Sequence, residues 1–158
     1  MILKPDNFTE QAQEVISRSQ DLVIEYSHSQ WDVEHVLLAL LELEGGVPQE
    51  ILQALGVPQQ EMRSKLVDVL ERVPKVAHEV PQIYVTPRAS RLLENAKEES
   101  LRLKDEFIST EHILIATAME PQGEVVRILQ EYGVEQERLY KALMEIRGSS
   151  FLSERTYG

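Results

Sequence analysis

Apolar side chains recur along this chain at the spacing of amphipathic helices, about one every 3.6 residues, and the whole pattern runs twice. Glycines, prolines and capping hydroxyls mark where each stretch begins or ends. The pattern predicts helices that begin near Thr9, Asp32, Pro48 and Pro58, then near Thr86, Ser109 and Gly123, with an eighth marked by Leu139, Leu143 and Ile146. A polar tail without a usable period follows from Gly148.

The second half of the chain repeats the first. Residues 9–72 align with residues 86–149 without a gap, at an offset of 77 residues. Identities fall on caps, helix ends and core positions alike, among them Thr9/Thr86, Glu34/Glu111, His35/His112, Gly46/Gly123 and Gly56/Gly133. Because turn chemistry and apolar pattern repeat together, we interpret the chain as an internal duplication.

The duplication predicts an all-α fold without a sheet, in which eight helices form two four-helix repeats packed by pseudo-twofold symmetry. The domain is expected over residues 5–149. Its predicted parts are repeat one at about 9–72, a proline-containing linker at 73–85 and repeat two at about 86–149, followed by a flexible tail or linker start at 150–158.

The second helix of each repeat begins with a charged pair, Glu34-His35 in one and Glu111-His112 in the other, and continues as a run of aliphatic residues. A helix with so many apolar residues is expected to be buried on nearly every side. We therefore expect its charged start to reach the surface, where something could bind.

Two interpretations of these charged pairs stay open. In the structural one, each glutamate is favoured by the helix dipole and each histidine hydrogen-bonds back to the capping residue. In the functional one, a capping threonine, Thr9 or Thr86, acts with the glutamate of its repeat, Glu34 or Glu111. The threonine and free backbone N–H groups would hold an anion or a carbonyl, and the glutamate a guanidinium or ammonium group.

Charge and composition narrow the classes of partner. The formal net charge is −11 and no cluster of Lys and Arg supplies a basic footprint, which argues against nucleic acid and anionic membranes. An acidic surface suits basic or polar-apolar peptides, or serves solubility alone. The absence of cysteine excludes disulfides and thiolate metal sites, and no signal-peptide or membrane-spanning segment is recognisable. A cytoplasmic location is expected.

Motifs for catalysis are missing. The sequence contains no GxxxxGK[ST] phosphate loop, no GxSxG elbow and no HExxH pair, so the chain is not expected to be an enzyme or to hydrolyse ATP. No cofactor and no metal are expected. A metal shared by His35 and His112 across the pseudo-twofold axis, or a hydrolytic site built from scattered residues, are the remaining alternatives.

Several motifs together resemble a known family. Phe8-Thr9-x-x-Ala12, Val85-Thr86-Pro87-Arg88-Ala89, the stretch from Phe107 to Leu114 and Ile146-Arg147-Gly148-Ser149 are similar to the Clp N-terminal domain, the double-repeat module at the head of AAA+ unfoldases. The resemblance covers roughly residues 5–149. Arg72-Val73-Pro74-Lys75-Val76 looks like the connection of the ClpB branch, which we favour, with the ClpC branch second.

The resemblance implies a binding module that takes unfolded or aggregated polypeptide, or adaptors, and passes them to a hexameric ATPase, together with the DnaK system if the branch is ClpB. In that branch the positions matching Thr9, Asp105 and Glu111 are linked to substrate binding. An apolar groove includes the position of Leu93, and a further apolar groove position is His112 here. In the ClpC branch, positions matching Thr9, Glu34, Thr86 and Glu111 form phosphoarginine sites. From spacing alone, Leu92, Leu93 and Ile108 fit a core as well as a groove.

Overall fold

A computed structural model of the chain describes residues 4–78 and 82–157, and the side chains of the second range as far as Gly148. A 3₁₀ turn at Pro5–Asn7 precedes the first helix. The elements are α1 (Glu10–Glu25), β1 (Gln30–Trp31), α2 (Val33–Glu42), α3 (Val47–Ala54), α4 (Gln59–Arg72), β2 (Tyr84–Val85), α5 (Pro87–Arg102), α6 (Thr110–Ala118), α7 (Glu124–Glu131) and α8 (Gln136–Tyr157). The predicted all-α class, with two repeats of four helices each, is confirmed over the described residues.

Local sequence signals explain where the helices begin and end. The Thr9 and Thr86 hydroxyls accept hydrogen bonds from the backbone N–H groups of Ala12, at 3.2 Å, and Ala89, at 3.1 Å, as expected of N-caps. The expected helix end at Gly148 is wrong, because α8 continues to Tyr157. Glycine costs a helix about 1 kcal/mol relative to alanine, which weakens the helix without ending it.

The two most apolar helices form the centre of the fold. Every residue of α2 from Val33 to Leu40 is buried, and so is every residue of α6 from Thr110 to Thr117. Helix α2 packs on α6, while α1 covers α2 and α5 covers α6. Within the described residues, no helix is long and apolar enough to cross a membrane.

A small parallel sheet joins the repeats, so the expectation of a fold without a sheet is wrong. Strand β1 pairs with β2 in the register Gln30–Tyr84 and Trp31–Val85. The pseudosymmetric counterpart is a single parallel bridge between Phe8 and Ile108. Part of the expected linker is therefore ordered. The sheet was missed because two-residue strands show no alternation, and both pairings join segments distant in sequence.

Candidate functional site

The parallel pairings bring the start of α1 beside the start of α6. The Thr9 N–H donates to the Ile108 carbonyl at 3.0 Å, and the Ile108 N–H donates to the Asn7 carbonyl at 2.8 Å. Glu111 lies in the first turn of α6. We call Thr9, Asp105, Glu111 and the Arg147 side chain of α8 the second corner, because its glutamate belongs to repeat two.

Arg147 neutralises the carboxylates of this second corner. Its Nη2 lies 2.7 Å from Asp105 Oδ2 and 3.5 Å from Glu111 Oε2. About a third of the Arg147 side chain stays exposed, whereas Glu111 is 9% exposed. The two carboxylates thus hold one guanidinium at the rim of the molecule.

The first corner consists of Asp32, Glu34, Thr86 and Arg88, and it repeats this arrangement at the start of α2. The Thr86 N–H donates to the Trp31 carbonyl at 3.1 Å, and its hydroxyl donates to Asp32 Oδ1 at 2.9 Å. Arg88 Nη2 lies 2.7 Å from Asp32 Oδ2 and 3.2 Å from Glu34 Oε1. A second guanidinium is therefore held by a second pair of carboxylates.

The expectation that each threonine acts with the glutamate of its own repeat is wrong. Thr9 lies beside the α6 start that carries Glu111, and Thr86 contacts the α2 start that carries Glu34. The parallel pairings exchange the partners, because each joins the entry to the first helix of one repeat to the entry to the second helix of the other.

The expectation that the charged helix starts reach the surface is also wrong in part. Glu34 and Glu111 are 8% and 9% exposed, and each lies against an arginine of the same chain. A buried carboxylate is costly unless it is paired and hydrogen-bonded, and the two arginines supply that pairing.

The two arginines are not copies of each other. By the 77-residue offset, Arg88 corresponds to Gln11 and Arg147 corresponds to Leu70. One guanidinium enters from the first turn of α5 and the other from α8, yet both end between two carboxylates at 2.7 Å from an aspartate. The corners are thus alike in binding a guanidinium although they receive it from different directions.

The electrostatics of the carboxylates follow from this pairing. Burial alone would raise the pKa of Asp105, but hydrogen bonds from Arg147 and His112 bring that pKa below its ordinary value. The pKa of Asp32 is likewise lowered by Arg88, the Val33 N–H and Thr86, against the effect of burial. Burial and the neighbouring Asp32 charge raise the pKa of Glu34. Both aspartates therefore stay ionised at neutral pH.

His35 of α2 and His112 of α6 act as helix caps, which confirms the structural interpretation of these two histidines. The backbone N–H of Asp32 donates to His35 Nδ1 at 3.0 Å, and that of Ser109 donates to His112 Nδ1 at 2.9 Å. A ring whose Nδ1 accepts a hydrogen bond carries its proton on Nε2 when it is neutral. His112 Nε2 can then donate to Asp105 Oδ2, 2.6 Å away, and so fixes that carboxylate.

The corresponding contact in repeat one joins two histidines. His35 Nε2 lies 2.9 Å from His28 Nδ1, and the 77-residue offset relates His28 to Asp105. Both rings are buried, and His28 Nε2 has no hydrogen-bond partner among the described residues. Burial and the neighbouring ring lower the pKa of His35 to about 4, and burial lowers that of His28.

These contacts leave His35 and His112 no unengaged ring nitrogen for a shared metal site. The ring nitrogens of His35 and His112 are all engaged within their own repeats. Among residues 4–78 and 82–148, no group of three or more His, Asp or Glu is placed to hold a metal ion.

An apolar groove of about 360 Å³ runs beside the second corner, which it reaches through Phe8, the neighbour of Thr9. We call it the Trp31 groove. It is lined by Pro5, Phe8, Gln13, Ile16, Ser17, Gln20, Trp31 and Leu93. Leu93 therefore belongs to a groove, while Leu92 and Ile108 belong to the core. His112 is fully buried and contributes no surface to the groove.

Sequence reasoning gave Arg88, Arg147 and Trp31 no role, and it gave Asp32 only the role of a helix cap, which the structure confirms. Arg88 and Arg147 stood inside motifs used for the family resemblance, but nothing local linked them to a carboxylate far away in the chain. A usable signal did exist for the histidines. The duplication sets His28 opposite Asp105, and each lies seven residues before a capping histidine.

The fold and its motifs match known proteins. The family model of the Clp repeat (R) N-terminal domain matches residues 7–132. The chaperone protein ClpB of Bacillus cereus is 31% identical over 147 residues, which cover 91% of this chain and 17% of the relative. The negative regulator of genetic competence ClpC/MecB of Bacillus subtilis is 29% identical over 143 residues, which cover 90% of this chain and 17% of the relative.

Solved structures agree with this match at the level of the fold. The Hsp104 N-terminal domain from Candida albicans has a TM-score of 0.75 and 20% identity, covering 90% of this chain and 93% of that one. A complex of a ClpV N-domain with a VipB peptide has a TM-score of 0.67 and 17% identity, covering 85% of this chain and 82% of that one. The chain spans about a sixth of the length of the ClpB and ClpC relatives. It belongs to the family of Clp repeat (R) N-terminal domains.

Proposed function

We propose that this chain is the client-binding and adaptor-binding module of a ClpB-type disaggregase. It would hold unfolded or aggregated polypeptide for an ATPase ring that lies outside these residues. Membership of the Clp N-terminal family and the 31% identity to a ClpB chaperone support the proposal. The hexameric state and cooperation with a DnaK system belong to the whole protein and are part of the proposal.

The observation that carries the proposal is the position of Arg147 between Asp105 and Glu111. The second corner binds a guanidinium of its own chain, so its geometry and charge suit an arginine of an unfolded client. The Trp31 groove adjoins this corner and offers Phe8, Trp31 and Leu93 to the apolar residues beside that arginine. Basic and apolar residues in one short segment are the chemistry that an acidic chain with an apolar groove selects.

The affinity is expected to be weak. A groove of about 360 Å³ covers only a few side chains, and an incoming arginine must first displace Arg147. Ordering an unfolded segment costs further free energy, so we expect a Kd in the micromolar range or weaker. Weak binding suits a module that releases its clients to a ring.

Titration of the chain with an unfolded client peptide tests the proposal. The peptide should carry one arginine flanked by leucines, and a matched peptide should carry citrulline, the neutral isostere, at that position. If the second corner holds the guanidinium, the citrulline peptide should bind the chain more weakly than the arginine peptide does. The arginine peptide should in turn bind the Asp105→Asn variant more weakly than the unchanged chain. Equal affinities throughout would contradict a guanidinium site. A competing basic peptide of random sequence serves as a control for bulk charge.

Adaptor binding is the second part of the proposal. The similarity to a ClpV N-domain in complex with a VipB peptide supports a peptide-binding role for the fold, although not the same surface. Adaptors that use the Trp31 groove should compete with the client peptide, whereas adaptors that use another surface should bind at the same time.

The second candidate is phosphoarginine recognition of the ClpC type, favoured by the exchange of partners at the corners. Each corner places a helix-start threonine beside a glutamate that can take a guanidinium. The second corner is the better anion site, because Pro87 removes one backbone donor from the start of α5. Calorimetry with free phosphoarginine discriminates the candidates. If phosphoarginine binds only in the millimolar range or not at all, and the double variant Glu34→Ala plus Glu111→Ala does not change this, phosphoarginine recognition is contradicted.

A further inference from the structure

A second cleft lies between α3 of repeat one and α8 of repeat two, the helix that also carries Arg147 of the second corner. It encloses about 270 Å³ and is lined by Ala54, Leu55, Arg138, Lys141, Ala142 and Glu145. We call it the α3–α8 cleft. Neither the client groove nor the carboxylates of the corners contribute to it.

The duplication supplies an internal comparison for this cleft. The pseudosymmetric joint lies between α4 and α7, and there long, partly exposed side chains bridge the two helices. Lys65 pairs with Glu131 and lies 5.0 Å from the centre of the Tyr132 ring, and the Tyr132 hydroxyl donates to Glu61 Oε2 at 2.7 Å. A carboxylate, an aromatic ring and a lysine thus close that joint.

In the α3–α8 cleft the same positions carry smaller side chains. The 77-residue offset relates Lys65 to Ala142, Glu131 to Ala54 and Tyr132 to Leu55. The joint keeps its backbone packing, since α3 contacts α8 as α4 contacts α7. The side chains that would occupy the space are absent from α3 and α8 themselves, and the result is a cleft with an alanine floor.

The charges around the cleft are also more positive than those of the α4–α7 joint. Glu61 of the filled joint corresponds to Arg138, and the neutral Ser64 corresponds to Lys141. Arg138 uses one nitrogen for the Gly133 carbonyl, at 2.7 Å, which leaves other N–H donors. Lys141 is exposed and has no hydrogen bond or ion pair to a described residue. Two cations and one carboxylate, Glu145, therefore border a small apolar floor, which leaves the lining with a net positive charge in a protein whose net charge is −11.

We propose that the α3–α8 cleft docks an acidic segment of a partner protein. A glutamate or aspartate of that segment lies between Arg138 and Lys141, and an aromatic or aliphatic neighbour rests on Ala54 and Ala142. The apolar side chain of the partner thereby covers the two alanines that stand where the α4–α7 joint has Glu131 and Lys65. Charge complementarity favours an acidic segment, because Arg138 and Lys141 outweigh the single carboxylate of Glu145 in the lining.

The test uses the whole 15N-labelled chain and a blocked peptide, Leu-Gln-Glu-Tyr-Gly, which copies residues 129–133. We expect amide shifts that concentrate at Ala54, Leu55 and Ala142, with a Kd in the high micromolar to millimolar range. The peptide with glutamine in place of glutamate should bind about twofold to fivefold more weakly, the loss expected for one exposed charged contact. Lys141→Glu changes an exposed side chain, so the fold should tolerate it, and it should lower the affinity for the original peptide by a similar factor.

A second variant keeps the test independent of surface charge. Ala54→Glu with Ala142→Lys rebuilds the pair that closes the α4–α7 joint, and it should abolish the shifts while the protein stays folded. Shifts that are absent from these residues at millimolar peptide would overturn the proposal. So would equal binding of the glutamate and glutamine peptides, or binding that survives in the filled variant.

Discussion

Arg147 Nη2 lies 2.7 Å from Asp105 Oδ2, so the last repeat helix closes back on the loop that precedes α6. His112 holds the same carboxylate oxygen from the core side, at 2.6 Å. One aspartate oxygen is thus fixed from the interior by a histidine and capped from the rim by an arginine. Removing the arginine leaves the carboxylate in place, and this is what makes the second corner suited to a cation from another molecule.

Arg147→Ala should therefore lower stability and strengthen binding at the same time. We expect the free energy of unfolding to fall by about 1 kcal/mol, because a charged hydrogen bond is lost from a partly exposed site. Urea unfolding measures this loss. The arginine-containing client peptide should bind more tightly, because it no longer competes with an internal guanidinium.

Arg88→Ala is the matched control for Arg147→Ala. It removes a comparable ion pair at the first corner, where the proposal does not place the client arginine, so it should cost a similar stability without tightening the binding of the client peptide. A loss of peptide binding in Arg147→Ala would contradict the displacement of Arg147 and assign this arginine to the binding surface itself.

Leu92 and Leu93 should respond to alanine in opposite ways. Leu92 is fully buried, so Leu92→Ala should cost about 2–5 kcal/mol of stability. Leu93 lines the groove, so Leu93→Ala should cost less stability and lower the affinity for the client peptide severalfold. Chemical denaturation and peptide titration of both variants check the assignment. A Leu93→Ala variant with unchanged affinity would remove this side chain from the binding surface.

Ser19 stabilises the wall of the groove through Trp31. The indole N–H of Trp31 donates to the buried Ser19 hydroxyl at 2.8 Å. Ser19→Ala leaves that donor unpaired and should cost about 1–3 kcal/mol. Trp31 is the one tryptophan of the chain, so its fluorescence reports both the unfolding and the groove. Ser17→Ala, at an exposed position of the same helix, should leave the unfolding midpoint nearly unchanged.

The buried pair of His28 and His35 predicts acid sensitivity. Both histidines are neutral in the folded state, and burial with the neighbouring ring lowers the pKa of His35 from 6.5 to about 4. Between these pH values the unfolded chain binds more protons, so stability falls as the pH falls. The loss from His35 is at most about 3 kcal/mol. Unfolding by urea between pH 7.5 and 4.5 measures it.

His28→Gln is the control for the acid sensitivity. Its amide oxygen can still accept from His35 Nε2, but it cannot be protonated, so the fall in stability between pH 6.5 and 4 should be shallower. The lowered pKa values of Asp32 and Asp105 act below this window, since their ordinary value is 3.8. An equally steep pH profile in the variant would refute a role for the pair.

The helices and their caps could be predicted because their signals are local. Thr9 and Thr86 cap the helices that follow them, and the 77-residue duplication places all four helices of each repeat. The capping role of His35 and His112 was also accessible, since the bond spans three residues. In each case the interacting groups are neighbours in the sequence.

The two corners could not be predicted, because their members meet only after the repeats are joined. Arg147 is 42 residues from Asp105, and Arg88 is 54 residues from Glu34. The duplication gives no help, since neither arginine has an arginine at the matching position. The exchange of threonine partners follows from two short parallel pairings, which leave no periodic trace in the sequence.

The most direct test of the account is an NMR titration of the 15N-labelled chain with the arginine-containing client peptide. We predict shifts that concentrate at Thr9, Leu93, Asp105 and Glu111, with release of the Arg147 guanidinium signal from its protected state. The citrulline peptide should shift the groove residues and leave Arg147 unchanged. Shifts that avoid the second corner and the Trp31 groove, or an Arg147 signal that stays protected at saturation, would contradict it.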